Sequence, residues 1–204
     1  MEVVLSNPVR EQKAVSDGVI GMIFLLATEV MFFAGLISAY IVNRAGIMVW
    51  PPYGQPRLPV EVTAVNTAVL IVSAVTIFLF KRNFKSNLAC WHTGFKTKKN
   101  SLKLLIITTI LGGVFIIVQG TEWVKLIHYG LTTTSSLYGA FFYVLIGAHA
   151  LHVVAGLAIL LYLFTALKNS SSPEVARNKI TVCSMYWYFV VGIWPILYIL
   201  VYLM

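Results

Sequence analysis

From Gly18 to Ile41 the chain keeps an unbroken apolar character, with one charged side chain, Glu29, standing in the middle of the run. A stretch of that length spans a bilayer, because crossing the hydrocarbon takes roughly 20 helical residues at about 1.5 Å each. Four more stretches have the same build: Val62–Phe80, Leu104–Val124, Leu137–Leu167 and Ile180–Met204, the last without any Asp, Glu, Lys or Arg. The chain is 59% hydrophobic and 11% charged, whereas a soluble domain is about 45–50% apolar and about 25% charged.

The fold class predicted is therefore all-α, an integral membrane bundle of five transmembrane helices. Residues 18–204 form one membrane domain behind an N-terminal arm of residues 1–17. Short connections make neighbouring helices antiparallel, and the lack of an internal repeat weighs against an inverted-repeat transporter. The arm carries Glu2, Pro8, Arg10 and Glu11 before any long apolar stretch. That is not the build of a cleaved signal peptide, so the first span is expected to serve as its own insertion signal.

Orientation follows from the basic residues. With the N-terminus inside, the inner face collects Arg10 and Lys13, then Lys81, Arg82, Lys85, Lys96, Lys98, Lys99 and Lys103, then Lys168, Arg177 and Lys179. Twelve of the fifteen lie there, leaving Arg44, Arg57 and Lys125 outside. The positive-inside rule then puts the N-terminus in the cytoplasm and the C-terminus in the periplasm. The net charge of +8 is thereby a matter of topology, and no nucleic-acid partner is expected. Arg82 and its basic neighbours, interleaved with Phe84, Trp91 and Phe95, suit the headgroup zone and phospholipid. On the outer side, Trp50 and Tyr53 in the proline-rich segment before Pro59 fit interfacial anchors. Cys90 and Cys183 fall on the cytoplasmic side, where thiols stay reduced, and are expected to be free.

An ionisable group near the bilayer midplane costs roughly 3 kcal/mol or more. Glu29 is thus the first place to look for function. The fourth span reads GAFFYVLIGAHALHVVAG, with His149 and His152 three apart on one helix face. Counted at the helical rise, all three groups fall roughly 16–21 Å from their own ends of the spans. Glu29 is expected to contact His149 or His152, directly or through one water, as a buried polar core or as a proton relay. No metal is expected, since His92 and His128 fall in loops at opposite ends and no ligand cluster shares one depth. Glu122, beside Trp123 at the outer end of the third span, reads as a lipid or interface residue. Asn66 and Thr67 are expected to hydrogen-bond across helices. Gly35 with Ala39, Gly112 with Gly113, and Gly147, Ala155 and Gly156 offer small faces for close helix approach.

Five segments in order carry a resemblance: GMIFLLATEVMFFAGLISAY, WPP followed by LPVEVTAVNTAVL, VQGTEW, GAHALHVVAG, and YWYFVVGIWPILYILVYLM. Together they resemble subunit III of the haem–copper terminal oxidases, the cytochrome c oxidase family. The resemblance implies that Glu29 is the family's membrane-buried carboxyl, that His149 and His152 are its paired histidines, and that Glu122 is the glutamate of its Q-x-x-E segment. It implies a subunit without redox centres that packs on subunit I, supports proton uptake and protects the oxygen-reducing site. Haem and copper would reside in partner subunits I and II, with a further small subunit or a respiratory supercomplex as additional company. Longer relatives carry two extra helices that frame a lipid-filled cleft; the five-helix form implies a bacterial plasma membrane and leaves that lipid site unsupported. The family's last helix usually reads W-H-F-V-D-x-V-W, where this chain has Tyr188 for the histidine and Val191 for the aspartate. Quinol-oxidising and nitric-oxide-reducing relatives share the same subunit plan, and a proton-coupled transporter is the alternative of another class.

Overall fold

A computed structural model describes residues 16–86, 95–168 and 173–204, with side chains described for all but residues 86, 95–101 and 173. The N-terminal arm through residue 15, Cys90, Trp91 and His92, and the side chains of Phe95, Lys96, Lys98 and Lys99, lie outside the described residues. The described chain is helical: α1 Asp17–Ala45, α2 Val60–Ser86, α3 Phe95–His128, α4 Leu137–Lys168 and α5 Pro173–Tyr198. Helix α5 closes in a π-helical turn, Ile199–Leu203, where the Met204 N–H bonds the Ile199 carbonyl.

All five helices are long and apolar enough to cross a membrane. Each begins or ends beyond the apolar run that marks it. Helix α3 starts at Phe95 and α5 at Pro173, well ahead of the apolar runs that begin at Leu104 and Ile180. Hydropathy registers only the segment immersed in hydrocarbon. The backbone ladder continues into the headgroup zone through Lys and Arg, which are good helix formers.

Helix α2 lies along α3, and α5 runs through the middle of the bundle against α1, α2 and α4. Two tryptophans on α5 fix that arrangement. The Trp187 indole N–H donates to Ser73 Oγ at 3.1 Å, and the Trp194 N–H donates to Thr67 Oγ1 at 2.8 Å. Seven residues apart, they fall on one face of α5 and hook it to α2 twice. Trp187 fits only because its neighbours lack side chains. A Cβ on Gly112 of α3 would meet the ring at 2.6 Å, and one on Gly156 of α4 at 2.9 Å. Gly113, Gly35 and Gly147 were expected to share in close helix approach. Among the described residues, a Cβ on Gly113 or Gly35 would meet nothing within 4 Å, and one on Gly147 only Trp123 at 3.8 Å.

Asn66 reaches across to α3, its amide donating to the Phe115 carbonyl at 3.0 Å, and Thr76 and Thr108 share a hydroxyl bond at 2.8 Å. Helix α1 is the loosest member, with Phe33 and Tyr40 as its buried residues. At the end shared with the turn after α5, Tyr40 donates to the Leu200 carbonyl at 3.1 Å and Arg44 reaches the Met204 carbonyl. Trp50, in the connection to α2, stands edge-on to Tyr40 and Tyr138. It works as a packing residue there, while Tyr53 is 89% exposed.

Candidate functional site

Helix α1 delivers Glu29 to its contact with α4. Twelve residues into a 29-residue helix, it sits near the middle of the span. Its Oε2 lies 2.8 Å from Nε2 of His152. The other ring nitrogen of His152, Nδ1, lies 2.7 Å from the Ala148 carbonyl one turn back on α4.

These two contacts settle where one proton goes. A carbonyl oxygen only accepts, so Nδ1 of His152 must carry hydrogen. Nε2 then faces Glu29 in one of two ways. A doubly protonated ring donates to a carboxylate, or a neutral ring accepts from a carboxylic acid. Either way a single proton lies between Nε2 and Oε2, shared by the pair. Without it, two lone-pair acceptors would face each other at bonding distance.

The pair is partly open, with side-chain exposure of 17% for His152 and 23% for Glu29. Phe32 and Phe33 flank the imidazole at ring distances of 6.0 and 5.1 Å. Apolar walls lower the local dielectric and strengthen the bond between the two groups.

His149 takes a different course. Three residues back along α4, it points roughly 60° away around the helix at 3.6 residues per turn. That angle carries it off the α1 side and into the core. It stacks on Trp194 at 4.8 Å and meets the edge of Phe115 at 6.1 Å. It is 1% exposed, and among the described residues neither ring nitrogen has a protein partner. The structure therefore brings Glu29 to His152 and turns His149 toward α3 and α5. A shared helix face in sequence does not mean a shared partner when two neighbouring helices divide that face.

Glu122 is buried and pairs with Lys125 one turn on, at 2.7 Å; the lysine side chain is 61% exposed. The carboxylate thus turns inward while its cation reaches out, rather than extending to the membrane surface itself. One turn back, Gln119 donates to the Tyr202 hydroxyl at 2.9 Å. Trp123 lines an apolar groove of about 560 Å³ between α3 and α4, with Ile116, Gly120, Tyr143 and Gly147. Arg82 is exposed near the end of α2. Cys183 is buried and free.

Among the described residues, no three His, Cys, Asp or Glu side chains gather closely enough to hold a metal ion. Of the two histidines in the middle of α4, one is engaged by Glu29 and the other is enclosed by aromatic rings. Sequence reasoning missed Trp187 and Trp194 as the α5–α2 hooks. Their seven-residue spacing, with Ser73 and Thr67 six apart on α2, is the signal that could have found them. At the positions where the resembling pattern carries His and Asp, the Tyr188 hydroxyl has no protein partner among the described residues and Val191 is buried in the core.

The sequence model of the family described as Cytochrome c oxidase subunit III matches residues 7–204. The chain is similar to a probable cytochrome c oxidase subunit 3 of Nocardia farcinica, 33% identical over 187 residues, which cover 90% of this chain and 86% of that one. It is similar to cytochrome c oxidase subunit 3 of Corynebacterium diphtheriae, 34% identical over 191 residues with the same coverage. A subunit 3 from Loxodonta africana is 31% identical over 188 residues, covering 89% of this chain and 67% of that one.

Proposed function

This chain belongs to the cytochrome c oxidase subunit III family, a non-catalytic subunit of a terminal oxidase, and from that premise we propose how it serves the complex. It packs on subunit I, steadies it during turnover and supports proton uptake toward the oxygen-reducing site. Haem and copper belong to partner subunits I and II. Among the described residues the donor set does not fit either group, because His152 is engaged by Glu29 and His149 is enclosed by aromatic rings.

The observation that carries the reading is the family match, which runs through all five helices from residue 7 to residue 204. The Glu29–His152 contact supports the finer part. A shared proton held near the bilayer centre gives the subunit a polar tie between α1 and α4, and a group able to exchange a proton with a neighbour. The same reading has the N-terminus in the cytoplasm and the C-terminus in the periplasm, supported by the distribution of Lys and Arg. It assigns the protein to a bacterial plasma membrane, supported by the bacterial relatives at 33% and 34% identity. Phospholipid surrounds the bundle, with Trp123 and Arg82 at its interface with lipid.

Affinity purification of the tagged chain from native membranes in mild detergent tests the proposal. The expected result is co-purification with a haem-bearing large subunit and a copper-bearing second subunit, and a haem absorption spectrum in the eluate. Purification of the chain alone, free of haem and active in proton-coupled transport, would overturn it.

A further inference from the structure

Two side chains deep in the bundle carry polar atoms that no protein atom satisfies among the described residues. His149 is 1% exposed, with both ring nitrogens unpartnered by protein. Asn66 is 3% exposed; its amide nitrogen is engaged by Phe115, while its Oδ1 has no protein partner. The two residues come from different helices, α4 and α2, yet both meet Phe115, and Trp194 joins His149 to the neighbour of Asn66 on α2. Phe115 gives its carbonyl to Asn66 and its ring edge to His149. Trp194 stacks on His149 and gives its N–H to Thr67, the residue after Asn66.

The surrounding polar groups are already committed. The Trp194 N–H goes to Thr67, and the Thr67 hydroxyl donates to the Thr63 carbonyl at 2.7 Å. What remains is chemically complementary. The amide Oδ1 accepts only, and a neutral imidazole offers one N–H and one bare nitrogen. Groups of this kind, buried in a low-dielectric interior, are costly to leave unpaired. A water molecule both accepts and donates, and internal waters in proteins sit where such groups converge, making about three hydrogen bonds each.

The geometry points to a structural water site between His149 and Asn66, in the seam where α2, α3, α4 and α5 meet. The water accepts from the His149 N–H and donates to Asn66 Oδ1. This link holds the imidazole in one tautomer against the face of Trp194 and joins α4 to α2 through the centre of the bundle. It stands apart from the Glu29–His152 contact and does not depend on the part the subunit plays in proton uptake.

The test is cryo-electron microscopy of the intact complex in lipid nanodiscs, at a resolution that shows ordered water. In the wild-type map, a density peak is expected at about 2.7–3.2 Å from both a His149 ring nitrogen and Asn66 Oδ1. A dry seam, or a direct His149–Asn66 bond, overturns the inference. In the H149F variant the peak is expected to vanish while the Asn66 amide keeps its bond to the Phe115 carbonyl. Persistence of the peak without His149 also overturns it. Should H149F fail to assemble, the wild-type map decides alone.

Discussion

Glu29 Oε2 lies 2.8 Å from His152 Nε2, and this contact ties the most loosely packed helix of the bundle to the helix that carries both His149 and His152. The other hydrogen bonds that tie α1 to the bundle, from Tyr40 and Arg44, run to the turn after α5 at one end of the helix, and its buried residues are Phe33 and Tyr40. A Glu29→Gln change keeps a donor for a neutral His152, so the tie survives while the exchangeable proton is removed. Glu29→Ala removes both and leaves the imidazole nitrogen unpaired, at a cost of about 1–3 kcal/mol. Thermal unfolding of the purified complex is expected to place E29Q near wild type and E29A clearly below it. Oxygen consumption followed over many turnovers isolates the proton: a deficit in E29Q, with normal subunit content, assigns the pair to proton uptake. Equal stability of E29A and wild type would remove the structural role.

Trp187 is held between two glycines, which makes those positions intolerant of even a methyl group. The added Cβ of Gly112→Ala would stand 2.6 Å from the indole and that of Gly156→Ala 2.9 Å. Because the obstacle is a rigid ring hooked to Ser73, the backbone must move, and overpacking of this kind costs about 1–3 kcal/mol. Gly113→Ala is the control, since its Cβ would meet nothing within 4 Å. The expected order of melting temperatures is wild type equal to G113A, with G112A and G156A lower.

The Trp194–Thr67 hydrogen bond separates polarity from shape. Thr67→Val conserves volume but leaves the buried indole N–H without its acceptor, a loss of about 1–3 kcal/mol. Thr67→Ser keeps the acceptor and costs less. A double-mutant cycle with Trp194→Phe is expected to return a coupling of about 0.5–1.5 kcal/mol in unfolding free energy; additivity of the two single changes would show that packing alone holds α5 to α2.

The existence of five spanning helices was legible from the apolar runs, because lipid exposes hydropathy as directly as any environment can. Helix ends were not, since Lys-rich turns outside the hydrocarbon keep the helical ladder without an apolar signal. That Glu29 and His152 stand at one level was also legible, as the helical rise is fixed and the two meet at 2.8 Å. The partner of each histidine was not. Rise gives depth along one helix, whereas the choice between His149 and His152 depends on how α1, α3 and α5 divide the circumference of α4. Glu122 shows the same limit. Its position near a span end implied a surface role, but the direction of the side chain is set by α3's rotation, which buries the carboxylate and leaves Lys125 as its exposed counterion.

That Glu122–Lys125 pair yields the last prediction. The carboxylate is 9% exposed at its side chain and the lysine 61%, so the two ends of the bond see different surroundings. Water and salt screen the lysine end, which holds the pair near the modest worth of an exposed one, about 0.2–1 kcal/mol. Lys125→Ala removes the partner, however, and leaves a buried carboxylate beside Gln119, whose amide is already given to Tyr202. The expected loss is about 1–2 kcal/mol, above the surface value because the remaining charge is desolvated. Combining K125A with Glu122→Gln removes the stranded charge as well and is expected to recover most of that loss. Melting temperatures of the single and double variants, taken at low and at high salt, check both parts. A double variant no more stable than K125A would mean that the carboxylate reaches solvent once the lysine is gone.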